Sequence, residues 1–63
     1  KSPAEALAAF ALAEGWWKLM DKPDYKKYRN DLRRRAVYWY EKALPTLDGL
    51  PKVIAKKRIA ESS

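Results

Sequence analysis

Apolar side chains recur at helical spacing through almost the whole chain, but they do not keep to one face. In residues 3–20, Ala9, Leu12, Trp16 and Leu19 lie opposite a polar face marked by Glu14, Lys18 and Asp21. Phe10, Ala13, Trp17 and Met20 form a second apolar band at the side. A helix with one polar strip and apolar cover on two flanks is expected to meet two neighbours, with the Leu12 band as the principal core face. Ser2, Pro3 and Glu5 agree on where this helix starts: a cap, a first-turn proline and a capping-box acid. Gly15 interrupts it, and either costs about 1 kcal/mol or lets a second helix come close.

Asp21-Lys22-Pro23-Asp24 breaks the pattern, because Pro23 disfavours helical geometry at Lys22. A second helix is predicted over residues 24–44. Its buried arc holds Tyr25, Tyr28, Leu32, Ala36, Trp39 and Ala43, with Tyr40 on the flank. The alternation of small and large side chains from Ala36 to Ala43 suits close packing on another helix. Pro45 stops the helix. After the turn Thr46-Leu47-Asp48-Gly49, a third helix is predicted over residues 50–60, with Asp48 as its cap. Leu50, Val53 and Ile54 lie together on it; in a closed bundle Val53 and Ile54 are expected to cover the Phe10 and Trp17 band, whereas in a repeat array a neighbouring unit would cover it. No strand pattern appears. The expected fold is all-α, an antiparallel helical hairpin plus a third helix, in one domain spanning residues 1–63.

The run Tyr38-Trp39-Tyr40-Glu41-Lys42-Ala43-Leu44, with Ala36, Tyr40 and Ala43 at the pattern positions, resembles the second helix of a tetratricopeptide repeat. The first helix is less similar. Its pattern positions fall on Ala9, Leu12, Ala13 and Trp16, so alanine replaces both the large residue and the glycine. The link from Trp16 to Ala36 is longer than the family norm by roughly three helical turns, and Pro45 comes early. The chain is therefore tetratricopeptide-like rather than a standard repeat, and it is also similar to helical spacer segments of large bacterial multidomain proteins. That likeness implies a non-catalytic, protein-binding or architectural role.

Charge adds a second possibility. The net charge is +6, and the whole excess lies from Asp21 onward. Such a surface favours acidic partners. A basic helical module binding nucleic acid or another polyanion is the alternative reading, although the basic residues of the second helix spread around it instead of gathering on one face. Histidine and cysteine are absent, which removes the commonest general base, the thiolate nucleophile and the usual zinc ligands. The eight acids are scattered, with Glu14, Lys18 and Asp21 spaced as a surface ion-pair ladder. No enzyme, cofactor or metal is expected. The longest apolar run, residues 6–13, is too short to span a bilayer. A chain starting at Lys1 without methionine is expected to be a fragment of a larger protein. Phe10, Trp17, Lys27 and Arg34 form the candidate interaction surface. The partner would be another protein or neighbouring domain of acidic character, with weak self-association where the Trp17 band lies uncovered. Trp17 either fills the gap to the third helix or lies partly exposed. The compartment is not legible.

Overall fold

The computed structural model describes residues 3–62, so the Ser2 cap lies outside the described residues. Helix α1 runs Pro3–Leu19, α2 Arg29–Ala43 and α3 Gly49–Glu61, with a 3-10 segment Pro23–Tyr28 before α2. No strand occurs among the described residues. The pairing is antiparallel throughout. Arg35, early in α2, sits over Trp16, late in α1, while Trp39, Lys42 and Thr46 lie beside Ala6 and Ala9 at the other end. Lys52 of α3 lies by Leu44 and Pro45, and Ser62 by Arg33 and Arg34.

The alternation of small and large residues explains how the helices fit. Ala13, Ala36, Ala43 and Ala55 are buried, and the Tyr40 side chain fills the space among them at 0% exposure. Alanines at the crossing let the backbones approach, and one large ring then fills the gap at close-packed density. Leu47, in the link before α3, closes the end of the core.

Three expectations need correction. First, α1 turns its other apolar band inward: Ala6, Ala13, Trp17 and Met20 are buried, Trp16 is half-buried, and Leu12 is 49% exposed. Two bands competed for one partner helix, and the band carrying Trp17, with Phe10 beside it, sets both rings edge-on against Tyr40. Second, residues 24–28 belong to a 3-10 turn, not to the second helix, and bury no side chain. Pro23 sits in the first turn, and Tyr25 N–H donates to the Lys22 carbonyl at 3.0 Å. A 3-10 turn rotates about 120° per residue where an α-helix rotates about 100°. Tyr25 and Tyr28 therefore fall out of phase with Leu32 and Ala36 and are exposed. Further along, Tyr40 takes the centre of the α2 face and Trp39 is only half-buried at its edge. Third, α3 docks through Ala55 and Ile59, leaving Leu50 70% and Val53 60% exposed. A small residue at the contact brings α3 closer to α2 than the branched pair Val53 and Ile54 would permit.

The two glycines behave differently. Gly49 adopts φ +65°, the left-handed turn that lets the chain enter α3 from the extended Asp48. Asp48 occupies the cap position, but its side chain makes no capping hydrogen bond. At Gly15 an added Cβ meets nothing within 4 Å, so no helix approaches there. Gly15→Ala should stabilise the chain by about 0.5–1 kcal/mol, since only the entropy cost of glycine remains. In a domain this size that is a rise of about 2–8 °C in Tm. An unchanged or lowered melting temperature would contradict the open surroundings of this position.

Candidate functional site

Each helix contributes one polar side chain to a single point at the edge of the core. Glu14 of α1 borders the buried band and leaves the solvent strip expected for it, so the Glu14, Lys18 and Asp21 ladder does not form as read. Its carboxylate accepts a hydrogen bond from the Tyr40 hydroxyl of α2. The Arg58 Nε of α3 lies 3.8 Å from the same carboxylate oxygen. The Arg58 guanidinium stacks over the Trp17 ring at 4.9 Å from its centroid, a partly exposed cation–π contact. Phe10 and Trp17 meet Tyr40 edge-on, with centroids 5.8 and 6.1 Å away.

Burial holds the Tyr40 phenol well above its usual pKa. The hydrogen bond to Glu14 and that carboxylate's charge push the same way, and Arg58 only partly opposes them. A phenol kept neutral is a hydrogen-bond donor and cannot serve as a base near neutral pH. This cluster is a clamp joining three helices.

The four residues expected to form an interaction surface do not come together as one. Phe10 is half-buried and Trp17 only 8% exposed, because α3 lays Arg58 across the indole. Trp17 thus fills the gap to the third helix and leaves the surface. Lys27 is exposed on the 3-10 segment, with its Nζ 5.5 Å from the Tyr28 ring centroid. Arg34 is exposed on α2 and pairs with Asp31 at 3.1 Å.

A different surface feature lies between α2 and α3. One depression is formed by Leu44 and Pro45 together with Lys52, Lys56 and Ile59. A second is formed by Arg33, Arg34, Val37 and Tyr38 with Ser62. Glu41 borders both, so the two depressions adjoin at that side chain along the groove between α2 and α3. The spacing Arg34, Val37, Glu41, Leu44 along α2 contained this stripe, but it becomes a groove only once α3 lies beside it. Among the described residues no group of acids is placed to hold a metal ion. No helix there is long and apolar enough to cross a membrane. Comparisons with protein-family models, with curated proteins and with solved structures found no match to this chain.

Proposed function

We propose that the chain is a non-catalytic helical module, tetratricopeptide-like in its first two helices, that serves protein interaction or architecture within a larger protein. The observation that carries this reading is the two-sided apolar character of α1. One side packs on α2, while Leu7 and Leu12 are about half exposed on the other, among the exposed small residues Ala4, Ala8, Ala11 and Gly15. A helix with apolar residues on two sides suits burial on both, here with only one of them covered. The Ala36, Tyr40, Ala43 stripe that carries the family resemblance is also the buried stripe of α2, which supports the reading further.

The competing function is polyanion binding through the net charge of +6. Titration with single- and double-stranded oligonucleotides near physiological salt separates the two. We expect only weak binding that vanishes as salt rises. Sub-micromolar affinity, lowered by Lys27→Glu with Arg34→Glu, would replace the interaction reading with the polyanion one.

A further inference from the structure

Resting on that interaction reading, we infer that the groove between α2 and α3 docks an acidic amphipathic helix from a partner protein. The shape sets the occupant's secondary structure. Two antiparallel helices bound the groove, and the described residues offer no strand edge for an extended peptide to pair with. From Arg34 to Leu44 the α2 side measures about 15 Å at the rise of an α-helix, enough for roughly three turns of a third helix lying in it. Its floor is apolar. Val37, Leu44 and Ile59 are half-buried there and Pro45 is exposed, so one side of each is already dry and the other faces outward.

The rim sets the occupant's charge. Arg33 and Arg34 stand at one end, Lys52 and Lys56 at the other. These four outnumber Glu41 in the middle and the Asp31 carboxylate that pairs with Arg34. The Asp31 pair is largely exposed and holds Arg34 only weakly, so the guanidinium can turn to a carboxylate that brings apolar contacts with it. Glu41 adds selectivity. It disfavours an acid at the centre of the partner helix and welcomes a neutral or basic residue there. The recognised pattern is apolar anchors at i, i+3 or i+4, and i+7, acids towards both ends, and none opposite Glu41. A phosphate backbone fits less well, because the apolar floor and Glu41 interrupt the positive track it would follow.

A test uses a fluorescent peptide of about fourteen residues with leucines at that spacing and glutamates at both ends. We expect micromolar binding to the chain. Lys52→Glu with Lys56→Glu should weaken it by about tenfold or more, while a peptide whose glutamates are replaced by lysines should then bind the variant better than the parent. Lys22→Glu with Lys26→Glu changes the net charge equally outside the groove and should alter affinity by less than about twofold, given screening over about 8 Å. Amide shift changes should cluster on Val37, Glu41, Lys56 and Ile59. The inference is overturned if the peptide does not bind, if a scrambled peptide of the same composition binds as well, or if both charge-reversed variants lose affinity equally. It is also overturned if the shifts fall on Leu7 and Leu12, although the interaction reading then stands. Sedimentation showing a dimer that masks the groove would make the occupant a second copy and likewise overturn it. Peptide silence together with sub-micromolar oligonucleotide binding would remove both readings.

Discussion

Tyr40→Ala should unfold the chain at room temperature. The ring has no exposed surface and contacts Phe10 and Trp17 edge-on. Truncating a buried aromatic costs about 3–5 kcal/mol. The change also strips Glu14 of the donor that its half-buried carboxylate relies on, which adds about 1–3 kcal/mol. A domain of this length has only about 3–9 kcal/mol in total. Circular dichroism should show the helical signal lost without denaturant. A cooperative melt within a few degrees of the parent would disprove the placement of Tyr40. Tyr40→Phe keeps the ring and removes only the hydroxyl, so it should fold with reduced stability. It also isolates a pH effect. The folded-state pKa of Tyr40 is raised, so its contribution is intact below the unfolded value near 10 and is lost as pH climbs from there towards the folded value. The parent should therefore lose stability above pH 10 more steeply than Tyr40→Phe does. Parallel urea melts across that range measure the difference.

Trp17→Ala should cost about 3–5 kcal/mol as well, and more than Trp39→Ala. Trp17 sits between Tyr40 and the Arg58 guanidinium, so its removal opens the core and takes away the surface on which α3 rests. Trp39 is half-buried at the edge of the α1–α2 interface, and part of its area already faces water. Leu12→Ala, about half exposed, should cost least of the three. Urea midpoints for the three variants give the order directly. If Leu12→Ala proved the most damaging, α1 would be packed through the band that the sequence pattern favours and the structure turns outward.

That last contrast shows how far the sequence reaches. Pro23 and Pro45 placed the breaks between helices, because breakers act locally whatever the chain packs against, although the 3-10 segment after Pro23 moves the start of α2 to Arg29. That small residues at Ala36 and Ala43 flank a large aromatic was legible for a similar reason, since close helix packing calls for that order, but the pattern centred Trp39 where the structure buries Tyr40. The candidate interaction residues were much less legible. Lys27 and Arg34 are exposed, as charged residues nearly always are, whereas Trp17 went to the interior because α1 turns it onto Tyr40 and α3 brings Arg58 over it. The groove at Glu41 had no separate sequence signal, since half of it belongs to a helix more than ten residues away.

What the sequence determined by itself, then, was an all-α chain of three helices and their approximate ends, because propensity and proline operate over a single turn. Only the tertiary structure decided which of two apolar bands of α1 is core, which face of α3 docks, and that Glu14, Tyr40 and Arg58 meet. A helix with apolar residues on several sides has several orientations of similar local energy. The choice among them rests on the fit of side chains from segments far apart in the chain, such as Tyr40 against Phe10 and Trp17 and the guanidinium of Arg58 across an indole.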